Sequence, residues 1–453
     1  MSNAAIAKKP RSLKPTPLRP AVSKEAKRDP SMRILMASHS HPQITKGGAE
    51  IAAHVLFSAF QRRPGYKAWF LGCVRDQMNQ KLGATISQPF SDSEYLYASG
   101  AFDWFKFSNT DSNFPAAFRT LLESLQPQVA HFHHYINFGV EAFLHVRKTL
   151  PNCRIVVTLH EYLAICNHYG QMITKQHKTL CYQAAPIRCT HCFKEITPSD
   201  FFLRNLYIRR FFDLVDHFIS PSQFLADRYI AWGIPADKIS VIENVIHRSN
   251  STKTAGSSID EGGPLRVGFF GQISALKGIG VLLDAAEFLE KRGEFNVAFE
   301  IFGDYSGQPP EFQTVFLERL AKAGRNVVFH GPYDQTRVDQ LMQSIDVVLT
   351  PSIWWENSPV VIQEALRNKR PIVCSDIGGM AEKVRDGLDG FHFPVGNAIA
   401  LSSLLLKLAT APSRLKEAAE SMQAPAEAEE IIARHERLYA SLLSDLHSKE
   451  ISS

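Results

Sequence analysis

The sequence predicts an α/β protein of two Rossmann-like, doubly wound domains facing across a cleft, followed by a helical C-terminal tail. Three observations carry that expectation. Short β-branched or aromatic runs alternate with longer amphipathic stretches. One Ser/Thr/Gly-rich stretch interrupts the alternation, and a segment rich in Ala, Leu, Glu and Lys ends it. At 453 residues the chain is too long for one ordinary core, and 45% hydrophobic with 21% charged residues is a globular composition.

Residues 1–31 carry Lys8, Lys9, Arg11, Lys14, Arg19, Lys24, Lys27 and Arg28 against Glu25 and Asp29, a balance of +6. This basic, Pro-rich segment reads as a disordered tail, with an electrostatic contact to an anionic membrane surface as the alternative. The whole chain carries only +5, so the rest is close to neutral. That argues against nucleic acid as a partner. No apolar run reaches 18 residues, and no signal-peptide core is present. Seven cysteines are few for this length and fit a reducing compartment. The expected location is cytoplasmic, with peripheral contact at the inner face of the membrane as the further option.

From Met32 the strand-like runs are 33–37, 67–71, 129–132, 154–159 and 217–220, which places a first domain at 32–248. After a linker at 249–264, runs at 266–270, 297–302, 326–330, 346–349 and 371–374, with a short one at 390–394, define a second domain at 265–410. Residues 411–453 read as helices. Alternating units of this kind build parallel sheets. Their ligands sit at the C-terminal strand ends, so two such domains create a cleft.

The most informative segment is Trp354-Trp355-Glu356-Asn357-Ser358-Pro359-Val360-Val361-Ile362-Gln363-Glu364-Ala365. Ser358 suits an N-cap and Pro359 the first helical position. A helix starting there would offer its amides and positive dipole end to a phosphate. Glu364 then lies about 9 Å along the axis at 1.5 Å per residue, a distance that suits a ribose. A carboxylate there can accept from both ribose hydroxyls. Glu356 precedes the helix, on the side of the sugar. Lys277, with Gln272 in the turn after strand 266–270, either neutralises a diphosphate leaving group or is an ordinary surface lysine before a helix. Gly303 follows a strand directly. Gly47 and Gly48 open the first helix, where they either let a bound phosphate or sugar approach or simply make a tight turn. His160 ends strand 154–159, a position open to both a structural and a cleft role.

The order Gly47-Gly48-Ala49-Glu50, Thr158-Leu159-His160-Glu161, Gly271…Lys277-Gly278, then Glu356 and Glu364 separated by seven residues, resembles the family-4 retaining glycosyltransferases. The resemblance covers roughly residues 32–410 and implies the GT-B fold. It also implies transfer of a sugar from a nucleotide diphosphate donor to a hydroxyl of a saccharide or lipid-linked saccharide acceptor, in glycan or polysaccharide biosynthesis. Carried over by residue, Gly48 lines the cleft and His160 faces the transferred sugar. Lys277 binds the diphosphate, Glu356 the sugar hydroxyls and Glu364 the ribose. Catalysis in that family needs no metal, and the sequence has no Asp-x-Asp motif. Gln272 stands where the family commonly has Arg, and Glu161 where it usually has Asp. A sugar-nucleotide epimerase on the same fold, or an inactive sugar-binding or scaffold protein, are the competing readings.

Cys166, Cys181, Cys189 and Cys192 cluster in the segment between His160 and Phe201. The Cys189-x2-Cys192 spacing is that of a zinc knuckle, so a structural zinc on these four is one expectation and four reduced thiols the other.

Overall fold

The computed structural model describes residues 32–45, 47–75, 84–245 and 262–451. The basic segment 1–31 and most of the expected linker lie outside them. In the first half the strands are β1 (Met32–Ala37), β2 (Tyr66–Val74), β3 (Ile86–Ser91), β4 (Glu94–Ala98), a small hairpin β5 (Phe102–Asp103) and β6 (Ser108–Asn109), β7 (Val129–Phe132), β8 (Arg154–Thr158), β9 (His217–Ser220) and β10 (Ile239–Val241). They form an eight-stranded sheet in the order β10-β9-β8-β7-β1-β2-β4-β3, with β5 and β6 pairing apart. Among the described residues of the large sheet, β3–β4 is the one antiparallel pair, and the separate β5–β6 hairpin is antiparallel as well. In β1 the run Ile34–Ala37 is fully buried, as a strand covered by helices on both faces must be. β1 pairs with both β2 and β7, so the crossovers diverge there and open a crevice at its C-terminal end.

Helices α1 (Gly48–Arg62), α2 (Phe114–Leu125), α3 (Ala142–Thr149), α4 (Pro186–Cys189), α5 (Pro198–Phe212) and α6 (Gln223–Trp232) connect these strands. α1 buries Ala52, Ala53, Leu56, Phe57 and Phe60 against one face. Its 3.6-residue spacing puts these side chains on one stripe. Phe118, Leu122, Phe143, Ile208, Phe212 and Tyr229 cover the other face.

The second half holds β11 (Leu265–Phe270), β12 (Val297–Phe302), β13 (Val327–Gly331), β14 (Val347–Thr350), β15 (Ile372–Ser375) and β16 (Gly390–Phe393). Their order is β13-β12-β11-β14-β15-β16, all parallel. With them run α7 (Ile279–Lys291), α8 (Pro310–Lys322), α9 (Val338–Gln343), α10 (Val360–Arg367), α11 (Gly378–Lys383), α12 (Ala398–Ala409), α13 (Pro412–Ser421) and α14 (Ala428–Ile451).

The terminal helices divide between the two domains. Leu415 and Ala418 of α13 stay in the second core. α14 returns to the first domain, where Ile431, Ile432 and Tyr439 join Ile34, Leu56, Phe60 and Val156. The Tyr439 hydroxyl meets His131 Nδ1 at 2.6 Å, and Arg154 Nε donates to the Leu442 carbonyl at 2.7 Å. Arg63 pairs with Glu429 and Glu436. Amphipathic spacing foretells a helix but not which domain receives it. Tyr439→Ala should therefore destabilise the first domain by about 3–5 kcal/mol, the usual cost of removing a fully buried aromatic ring. A urea midpoint equal to that of the wild type would show that α14 is not docked.

Candidate active site

The candidate residues come from the C-terminal ends of the parallel strands of both sheets. Glu356, in the loop after β14, is buried, and its Oε1 accepts from three donors. Lys277 Nζ lies at 2.7 Å, Ser352 Oγ at 2.8 Å and Trp354 Nε1 at 2.9 Å. Three charge-assisted or polar bonds compensate the desolvated carboxylate and fix the lysine beside it. Lys277 is held in a turn whose next residue, Gly278, has φ +76 and caps α7. An added Cβ there would collide with the Pro351 carbonyl oxygen, so only glycine lets the two loops touch. Gly303 likewise has no room for a side chain, because the Gly271 carbonyl lies against it. Gln272, in the same turn as Gly271, is exposed.

Helix α10 begins one residue later than expected. Pro359 is its N-cap, and Val360 its first residue. Ser358 does not cap: its hydroxyl instead donates to Glu243 Oε1 at 2.5 Å, across the domain boundary. Donation to this charged acceptor turns the hydroxyl toward the first domain, and no side chain caps α10. Glu364 is then five residues along, about 7.5 Å at 1.5 Å per residue. It is buried and accepts from Gln335 Nε2. Burial raises its pKa to about 7, against the opposing pull of Arg367 and Gln335.

In the first domain, Gly47 is the N-cap of α1, and an added Cβ there would meet the Glu50 carboxylate. A Cβ on Gly48 would enter open space. Glu50 is buried and pairs with His39 Nε2 at 3.2 Å. His39 packs edge-on against His134 with ring centroids 4.5 Å apart, and His134 Nε2 lies 3.9 Å from Glu161. His160 Nε2 meets His133 Nδ1 at 3.2 Å, so one of the two must carry the shared proton. Although part of its surface remains accessible, burial and then His134 push the His160 pKa down to about 3. It is a neutral hydrogen-bonding group near neutral pH, not an acid. No spacing singles out the His39, His133 and His134 cluster, since His39 follows β1 while His133 and His134 follow β7, strands far apart in the chain that pair in the sheet. Gln335 was missed for the same reason, whereas Ser352 and Trp354 lie in the loop of Glu356 itself, where no helix or strand period fixes which side chains meet.

The two halves meet at these residues. The Asn357 amide donates to the His160 carbonyl, while the buried Asn357 Oδ1 has no partner within the protein. Lys383 binds Glu243 and the Pro221 carbonyl. Glu382 accepts from the Gln223 and Phe224 amides at 2.9 and 2.6 Å, where α6 begins. The site of one domain thus touches the site of the other.

The cysteine quartet is not drawn around one point. Lys175 N donates to Cys192 Sγ at 3.5 Å, and Cys181 Sγ donates to the Gln183 carbonyl at 3.5 Å. Burial pushes the Cys166 thiol up to about 11 and raises Cys189 as well. Among the described residues, the one group whose potential ligand atoms all lie within 4.8 Å is His41, His54 and Glu94. There the Gln43 amide donates to His41 Nδ1, which assigns the ring proton to Nε2 and to the bond with Glu94. Hydrogen bonds alone satisfy that cluster. Among the described residues no three of the sulfurs of Cys166, Cys181, Cys189 and Cys192 lie within 4.8 Å of one another, although Cys181 and Cys189 act electrostatically on Cys166, and Cys181 and Cys192 on Cys189.

Two doubly wound domains whose strand ends face each other in this way form a GT-B fold. Two family models match side by side: "Glycosyltransferase Family 4" over residues 47–249 and "Glycosyl transferases group 1" over residues 264–411. Together they cover well over half of the chain, which belongs to the family-4, group 1 glycosyltransferases. It is 26% identical over 193 residues to the amylovoran biosynthesis glycosyltransferase AmsK of Erwinia amylovora, covering 41% of this chain and 46% of that one. It is 31% identical over 176 residues to a D-inositol 3-phosphate glycosyltransferase of Rhodococcus erythropolis, covering 38% and 39%. The chain thus spans less than half the length of these curated relatives. Solved structures of like fold include Anabaena HepE in complex with UDP and glucose, with a TM-score of 0.62, 17% identity and coverage of 90% and 100%. Sucrose-phosphate synthase from Thermosynechococcus elongatus gives 0.68, 17%, 91% and 100%.

A raised carboxyl pKa has a measurable consequence. Folding favours the protonated Glu364, so stability is lost as pH rises from the unfolded value of 4.5 toward about 7. The buried histidines, with lowered pKa values, act in the opposite sense below pH 6.5. The difference between wild type and Glu364→Gln isolates the glutamate. In the nucleotide-free protein the variant should gain on the wild type between pH 4.5 and 8, by a few kcal/mol at most at about 1.4 kcal/mol per unit. A difference that stays flat with pH would place Glu364 in solvent.

Proposed function

We propose that this protein is a metal-independent glycosyltransferase that moves a sugar from a nucleoside diphosphate donor to a hydroxyl of a saccharide acceptor, with retention. The observation that carries the reading is the junction at Asn357 and His160. It brings Lys277, Glu356 and Glu364 of one domain to the cleft that holds His160 and Gly48 of the other. The relatives' names favour glycan biosynthesis. The UDP and glucose bound by HepE make a UDP-sugar the first donor to test.

In this reading the donor diphosphate draws Lys277 away from Glu356, and the first turn of α10 at Asn357, Ser358, Pro359 and Val360 faces the phosphates. Glu364 accepts from the ribose hydroxyls and Glu356 from the sugar. The bond from the anomeric carbon to the phosphate oxygen breaks while an acceptor oxygen bonds to the same face. The acceptor proton passes to the leaving phosphate. Negative charge grows on the diphosphate, and Lys277 stabilises it most in the transition state. His160, neutral, orients the sugar by hydrogen bonding. Gln272 adds no charge, so Lys277 carries this task alone in its turn. A lipid-linked acceptor, with peripheral contact at a membrane, is the extension of the same reading. Catalysis requires no cofactor, and a structural zinc would need the cysteine loop to close around it.

Two substitutions separate the proposed roles. Glu364→Ala should weaken binding of free UDP by about 1–3 kcal/mol through loss of charge-assisted bonds. Glu356→Ala leaves Lys277 unpaired, so it should spare or tighten free UDP while lowering turnover. Calorimetric titration with UDP and a turnover assay with UDP-glucose check both. Equal losses of UDP affinity in the two variants would contradict the division.

A further inference from the structure

Beside the cleft, the first domain contains a cavity of about 190 Å³ between α5, α6 and the loop that follows Cys181. One ordered water needs roughly 10–15 Å³, and pockets for drug-sized molecules span roughly 300–1000 Å³. The size class is therefore a single sugar ring. Tyr182, Phe201 and Trp232 supply apolar and aromatic walls.

The polar groups are of one sign. Arg204 and Arg228 both line the cavity, and no Asp or Glu does. Neither arginine forms an ion pair among the described residues. Arg204 is 3% exposed and donates only to the carbonyls of Phe105, Leu163 and Ala164. Arg228 donates to the Tyr182 carbonyl at 3.2 Å, and its buried Nε has no partner. Asn205, also lining the cavity, has a buried Oδ1 without a donor. The buried Arg204 and the half-buried Arg228 thus face the cavity with no counter-charge, and an anion entering it would meet two cations and no competing carboxylate. An unpartnered amide oxygen suits a sugar hydroxyl.

The cavity also adjoins the candidate site. Trp355, which directly precedes Glu356, donates from Nε1 to the Cys181 carbonyl at 3.1 Å and packs against Tyr182 with ring centroids 5.0 Å apart.

We propose that this cavity is an acceptor subsite for an anionic sugar unit, one ring bearing a carboxylate or a phosphate. The proposal rests on the transferase reading above, to which it adds the charge class of the acceptor. The test is ligand-observed NMR on the full chain with UDP present, using D-glucuronate, glucose 6-phosphate and neutral glucose as probes. At least one anionic sugar should bind about tenfold more tightly than glucose. Which of them does so identifies the anion. Arg228→Met and Asn205→Ala, from opposite walls, should each weaken that binding while leaving UDP affinity and melting temperature unchanged. If the wild type binds UDP but neither anionic sugar more tightly than glucose, or if both variants bind like the wild type, the subsite is overturned and the donor reading stands. Binding of an anionic sugar by a wild type that does not bind UDP would instead support the cavity and sink the donor reading.

Discussion

The burial of the Glu356 carboxylate is the constraint on which the site depends. A desolvated negative charge must be compensated, and here Lys277, Ser352 and Trp354 converge on one oxygen to do so. That requirement fixes the loop between β14 and α10 and pins the turn after β11 to it. Gly278, packed on the Pro351 carbonyl, makes the close approach sterically possible. In the proposed reaction the same pair holds a cation that can pass from the carboxylate to the donor diphosphate.

The second constraint is contact between domains. Asn357 reaches the His160 carbonyl, Ser358 reaches Glu243, and Lys383 and Glu382 reach the edge around α6. These polar bonds flank an apolar contact, where Trp355 stacks on Phe224 with ring centroids 5.0 Å apart and packs edge-on against Tyr182. α14 adds a covalent return: it begins beyond the second domain and completes the core of the first.

Much of this was legible in the sequence, for physical reasons that differ by element. Parallel strands covered on both faces are continuous hydrophobic runs, so β1, β7, β12 and β14 stood out within a residue or so of their ends. β3 (Ile-Ser-Gln-Pro-Phe-Ser) and β10 are half-exposed edges without that signal. The Glu356 and Glu364 pair was visible because a helix fixes their separation, although the α10 start moved by one residue when Glu243 claimed Ser358. Ser352, Trp354, Gln335 and the His39, His133 and His134 cluster were not visible. Gln335 reaches Glu364, and His39 reaches His134, only because of which strand ends lie side by side, while Ser352 and Trp354 meet Glu356 in an irregular loop that has no period to read.

The central claim is that Lys277, Glu356 and Glu364 form the donor site of the cleft. A crystal structure of the protein with UDP tests it most directly. The account predicts the diphosphate between Lys277 and the first turn of α10, the ribose hydroxyls on Glu364, and a Lys277–Glu356 pair longer than the 2.7 Å of the free protein. UDP bound elsewhere, with that pair intact and Glu364 still on Gln335, would contradict it.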